Sequence, residues 1–217
     1  MEKAGNPAQD FVDEEFPSPV RPLVPPALKR AYAAADRVME EPFLCTPSGR
    51  YQRGDLILKA AEFEFRRLID AGSLPFEPAW EPYAAPTGKH LVMRSKRARI
   101  TINQIASPKQ KPRPAKFRDN FGLPNTEYLW AEWNEDKRAE DSLKHLVLLH
   151  GYQDLVFAKL ALPHPEKQKL IWGTDNLMDL LHEVPDDERG PREEGPAESP
   201  DPEAIENLHR IIRDETR

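Results

Sequence analysis

The chain has a single cysteine, Cys45, so it can form neither an intrachain disulfide nor a zinc site of several thiolates. No run of 18 apolar residues occurs, which argues against a membrane-spanning helix. No internal repeat is visible, which argues against a solenoid or propeller. The opening Met1-Glu2-Lys3-Ala4-Gly5-Asn6-Pro7 continues acidic and does not resemble a secretory signal, so a reducing cytoplasm is the expected location. One absence is local. Gly88 to Arg118 contains no Asp or Glu, and its only Phe, Tyr or Trp is Phe117. Aromatic platforms for stacking bases are therefore nearly missing from that stretch, and sequence-specific readout of single strands is not expected.

Charge is plentiful. Of 217 residues, 31% are charged, 39% are apolar and 23 are proline, a balance that leaves part of the chain outside any core. Residues 1–25 read as a disordered, acidic, proline-rich tail with no helical or strand period; Phe11 and Phe16 stand among its acids. Residues 185–202 read as a second such stretch, carrying five prolines among acids and glycines. In 203–217, Ile205, Leu208, Ile211 and Ile212 fall at helical spacing, giving a short amphipathic helix that could dock on the body of the chain or on a protein partner. The remaining 26–184 are long enough for one domain with a sizeable core.

Within that domain, Leu28 to Glu41 is alanine-rich, and Asp55 to Ala71 carries Leu56, Ala60 and Phe63 as a stripe, with Gly72 as its stop. His90 to Arg94 and Arg99 to Ile105 suggest a hairpin turning at Ser95-Lys96-Arg97. His145 to Leu149 and Leu155 to Leu162 suggest a second one, turning through His150-Gly151-Tyr152-Gln153-Asp154 with Gly151 supplying an unusual φ. Both of the latter strands are apolar on both faces, as central strands are. Lys169 to Trp172 is a further candidate strand and Asp175 to Glu183 a helix; Glu127 to Trp133 is ambiguous. The expected fold class is α+β, with N-terminal helices followed by a mainly antiparallel sheet built from hairpins, then a short helix.

The strongest functional signal is electrostatic. Lys89, Arg94, Lys96, Arg97, Arg99, Lys109, Lys111, Arg113, Lys116 and Arg118 give the middle stretch +10, so the rest of the chain sums to −16 against an overall −6. Such a segment suits nucleic acid or another anionic partner. The acidic C-terminal stretch, with 12 acids against 5 bases from Glu183 onward, could compete for it or simply neutralise it. The leading expectation is a non-enzymatic binding or regulatory protein with no cofactor. Two alternatives are a protein–protein adaptor acting through its tails and a metal-dependent hydrolase or nuclease. The hydrolase would use His150, Asp154 and Lys159, with His150, Asp154 and His164 as candidate metal ligands.

Three motifs fail on inspection. Leu146-Val147-Leu148-Leu149-His150-Gly151 is similar to the strand before the oxyanion loop of α/β-hydrolases, but the only later serine is Ser199, in the proline-rich tail. Pro86-Thr87-Gly88-Lys89 resembles the end of a phosphate-binding loop, but Tyr83 holds the place of the first glycine and His90 that of the Ser or Thr. Restriction-type nucleases need Asp/Glu-x-Lys, whereas Phe157 stands two before Lys159; the missing acid would have to be Glu62 or Glu64. Trp80, Trp130, Trp133 and Trp172, with Tyr83, Tyr128 and Tyr152, are expected to cluster over the sheet as core.

Overall fold

The computed structural model describes residues 6–83, 88–125, 143–182 and 206. The chain enters through a helix where a tail was expected. α1 spans Pro7–Glu15: Asn6 Oδ1 accepts the Ala8 amide at 3.1 Å, and Pro7 opens the first turn, where its missing N–H costs nothing. Phe11, Val12 and Phe16 are buried. Each such side chain stabilises by about 1.5–3 kcal/mol, and this burial acts with the helix hydrogen bonds and the pairing of Glu14 and Glu15 with Arg97 against the cost of ordering a short helix. This corrects the disordered reading of 1–25 for its described part. The prolines punctuate the segment, and the phenylalanines decide it.

α2 (Val24–Met39) and α3 (Arg53–Asp70) pack against each other. α2 buries Ala27, Ala31, Ala34 and Ala35, small residues that permit close approach; α3 buries Leu56, Ile57, Ala60, Ala61 and Phe65. Gly72 ends α3 at φ 71°, and the Ser73 amide bonds back to the Leu68 carbonyl at 2.9 Å, as the sequence led one to expect of a glycine stop.

One six-stranded sheet follows: β1 (Glu77–Pro82), β2 (Lys89–Arg94), β3 (Ala98–Ile105), β4 (Lys144–Gly151), β5 (Ala158–Pro163) and β6 (Leu170–Gly173), in that spatial order. Four pairings are antiparallel. The fifth, β3 with β4, is parallel, with Arg99 beside His145 and Gln104 beside His150. A parallel pair needs a crossover, and part of it is α4 (Lys116–Gly122). Side-chain alternation then divides the sheet. Ile100, Ile102, Leu146, Leu148, Leu160 and Leu162 face α2 and α3 in the main core. Ile105, Val147, Leu149 and Ala161 belong to a smaller cluster with Phe157 on the other side. β4 is buried along its whole length, as its two apolar faces foretold. The chain is thus α+β, with helices, then a mostly antiparallel sheet, then a short helical turn at Leu177–His182.

Two details differ from expectation. In the β4–β5 turn the positive φ belongs to Gln153, at 68°, while Gly151 is required because a Cβ there would collide with the Asp154 carbonyl oxygen. Among the described residues the aromatic cluster is not assembled: Trp80 and Trp172 sit on β1 and β6, the two opposite edges, and Trp80 and Tyr152 are exposed. Tyr128, Trp130 and Trp133, the segment 127–133, the linker 185–202 and the helix 203–217 lie outside the described residues, except for exposed, helical Glu206. No described helix is long and apolar enough to cross a membrane.

A candidate anion-binding face

Alternation along β2, β3 and β4 places His90, Arg99, Thr101, Asn103 and His145 on the face that α4 covers. On α4, Phe117 and Phe121 are four residues apart and so share one side of the helix. Their rings meet the sheet directly: Phe117 lies 4.4 Å from His90 and Phe121 lies 5.5 Å from His145. Tyr83, at the end of β1, stacks on His90 at 4.9 Å. The two cations nearest these rings lie over them, Arg118 over Phe117 and Arg99 over Phe121, each at 4.8 Å.

A hydrogen-bond chain runs beneath the helix. Arg118 Nε donates to Asn103 Oδ1 at 2.8 Å, and Asn103 Nδ2 donates to Thr101 Oγ1 at 2.9 Å. Thr101 Oγ1 lies 2.9 Å from His145 Nε2. The threonine oxygen accepts from Asn103, and among the described residues the one acceptor within reach of its own proton is Nε2, so that proton goes to Nε2. That fixes the neutral His145 with its proton on Nδ1. The Nδ1 group is buried and has no partner among the described residues. Burial, reinforced by Arg118, Lys111, Arg99 and His90, holds His145 down to about 3, so it is neutral at physiological pH. Burial likewise lowers His90 against the opposing pull of Glu81, and neither ring nitrogen makes a well-formed hydrogen bond among the described residues. Asn125 secures the chain after α4, donating to the carbonyls of His145 and Pro163 at 3.0 Å and accepting the His145 amide at 3.0 Å.

β2 and β3 diverge at this end. Their pairing covers only Val92–Arg94 with Arg99–Thr101. Beyond it the Leu91 amide donates to Glu62 Oε1 of α3 at 3.0 Å. Burial raises the Glu62 carboxyl to about 7, and burial together with Glu62 raises Tyr83 to about 12.

The ten cations of the basic stretch do not form one surface. Arg94 pairs with Glu81 at 2.6 Å. Arg97 at the hairpin turn pairs with Glu15 at 2.8 Å and with Glu14, both from α1. Burial pushes Glu15 up, but the hydrogen bonds from Ser95 and Arg97 outweigh it and the carboxyl ends below its ordinary range. Lys111 is buried, donates to the His164 carbonyl at 2.9 Å and stands 4.0 Å from Asp119. Arg118 is turned inward, as described, and bonds the Arg113 carbonyl at 2.8 Å. Lys89, Lys96, Lys109 and Arg113 are exposed, with Lys96 at the hairpin turn and Lys89 at the opposite end of β2. Lys116 opens α4. Among the described residues no carboxylate lies within ion-pair distance of Arg99 or Arg118.

The hydrolase alternative is dispersed. His150 faces α2, where Tyr32 Oη lies 2.9 Å from its Nδ1 and donates to the Gly151 carbonyl; burial holds this ring at about 3. Asp154 is exposed in the turn, and Lys159 pairs with Leu149 on the opposite face of the sheet from His150. His164 follows β5 at its far end, and its Nδ1 accepts the amides of Glu166 and Lys167 at 3.1 and 3.0 Å. The odd spacing of alternating strand positions separates these residues. Glu64 is committed to Arg30 and Arg67, at 2.8 and 2.9 Å. Among the described residues no group of three or more His, Cys, Asp or Glu could hold a metal ion.

Tyr83, His90, Thr101, Asn103, Phe121 and His145 were not foreseen as one cluster. The four-residue spacing of Phe117 and Phe121 and the odd-numbered polar positions of β3 carried the signal. Comparisons with protein-family models, curated proteins and solved structures find no match for this chain.

Proposed function

We propose that this chain is a non-enzymatic binding protein that holds an anionic partner, nucleic acid foremost, on the face built by β2, β3 and α4. One observation carries the reading: Arg99 and Arg118 lie on aromatic rings with no carboxylate in ion-pair range among the described residues. A cation left without an internal counter-charge is available to a phosphate. Exposed Lys89, Lys109 and Arg113 extend the positive potential around it. Tyr83 and Phe121, partly exposed like Phe117, add to it a stacking surface that the basic stretch alone nearly lacks. The function belongs in the cytoplasm, in keeping with a free, exposed Cys45.

Fluorescence anisotropy with labelled single- and double-stranded oligonucleotides at low salt tests the reading. Replacing Lys89, Lys109 and Arg113 by Gln weakens binding; Arg94→Gln with Arg97→Gln changes it little, because those cations already have partners. Equal losses from the two sets, or no binding of either oligonucleotide, would overturn the assignment.

A further inference from the structure

Arg99 and His145 are register partners on adjacent parallel strands, and the Phe121 ring lies over both. Each carries a buried donor with no acceptor among the described residues: Nε–H of Arg99, and Nδ1–H of His145 in the tautomer fixed by Thr101. His145 is 1% exposed, and His90, 6.5 Å from the same ring and without a well-formed side-chain hydrogen bond among the described residues, is 4% exposed. A buried donor left unsatisfied costs about 1–3 kcal/mol, more beside a charged group, so side-by-side orphans of one polarity call for an acceptor. The local charge selects its kind. Arg99, Arg118 and Lys111 all act on His145, a field that repels a metal cation and attracts an oxyanion.

We propose that Arg99 and His145, with His90 at the margin, form a site for one tetrahedral oxyanion, a phosphate group, beneath the Phe121 ring. The proposal rests on reading the α4 face as anion-recognising, and it names the group recognised. Phe121 is itself partly exposed, so a rotation of its side chain would open a path to the pair. The phosphate accepts from Arg99 Nε–H and His145 Nδ1–H and balances the guanidinium charge. Its source is either free phosphate or a phosphate of a polynucleotide, the same chemistry delivered in two ways.

The test uses the full chain. Inorganic phosphate is titrated against sodium chloride at matched ionic strength, following the thermal unfolding midpoint and the His145 Nδ1–H resonance by NMR. The expected result is a saturable rise in the midpoint and a shift of that resonance with phosphate alone, the apparent affinity falling about tenfold or more in Arg99→Gln. The resonance is read in the unsubstituted protein, so the outcome does not depend on a variant folding. A response to phosphate no different from that to chloride, with an unmoved resonance, overturns the site. If oligonucleotides bind while phosphate does not, the oxyanion site is wrong and the broader face remains. If phosphate saturates and no oligonucleotide binds, the site stands with free phosphate as its source, and the nucleic-acid reading falls.

Discussion

Acidification should destabilise this fold: three buried groups set a rate that can be worked out, and His90, His164 and Glu15, all shifted down, add to the loss in the same direction. His145 and His150 are held at about 3 against an ordinary 6.5, and Glu62 is raised to about 7 against an ordinary 4.5. Between pH 6.5 and 4.5 the unfolded chain binds a proton on each histidine that the folded chain refuses, so each removes about 1.4 kcal/mol of stability per pH unit of acidification. Glu62 acts the other way. Folded, it holds a proton that the unfolded chain has released, and it returns about 1.4 kcal/mol per unit over the same window. From these three groups the loss is about 1.4 kcal/mol per unit, or about 3 kcal/mol across the window, a large share of a typical 5–15 kcal/mol. Below pH 4.5 the Glu62 contribution is constant and the loss steepens to about 2.7 kcal/mol per unit. Urea unfolding followed by tryptophan fluorescence at pH 6.5, 5.5 and 4.5 measures the slope. Glu62→Gln keeps an acceptor for the Leu91 amide but cannot titrate, and so should steepen the slope by about 1.4 kcal/mol per unit. Stability that is flat or increases towards pH 4.5, or an unchanged slope in Glu62→Gln, would refute the burial argument.

Further outcomes follow from the geometry. Tyr32→Phe strips His150 Nδ1 and the Gly151 carbonyl of their partner in a dry site and should cost about 1–3 kcal/mol in urea unfolding. Gly151→Ala forces a Cβ against the Asp154 carbonyl and should lower stability by about 2 kcal/mol or more, whereas Gly72→Ala, with open space but a positive φ, should cost less, near 1 kcal/mol. Deleting residues 185–217 should tighten oligonucleotide binding at low salt if the acidic stretch competes for the basic face; unchanged affinity would remove that idea.

How much of this was legible in the sequence depended on whether the signal was local. α3 was visible because its apolar stripe and Gly72 stop lie within one segment. β4 was visible because a run apolar on both faces has few homes other than a central strand. α1 was missed because Phe11, Val12 and Phe16 show their worth only against the body of the fold, while the prolines around them look like disorder. The parallel pairing of β3 with β4 was also hidden, since alternation fixes a strand's faces and not its direction. The basic stretch misled most. Read along the chain it is ten unopposed cations, yet folding brings Glu14 and Glu15 across more than 80 positions to Arg97, brings Glu81 to Arg94, and draws Lys111 and Arg118 inward. His90, Arg99 and His145 join only once the strands are in register.

The salt dependence of oligonucleotide binding tests the central claim most directly. On the proposed face Lys89, Arg99, Lys109 and Arg113 lack a carboxylate partner within ion-pair distance among the described residues and, unlike Arg118, are not tied inward by hydrogen bonds, so about four phosphates should be neutralised. A plot of log affinity against log salt for single strands should then fall with a slope of about −2.8, reduced by about 2 on replacing Lys89, Lys109 and Arg113 by Gln. A slope near zero, or one that the Gln replacements leave untouched, would contradict the account.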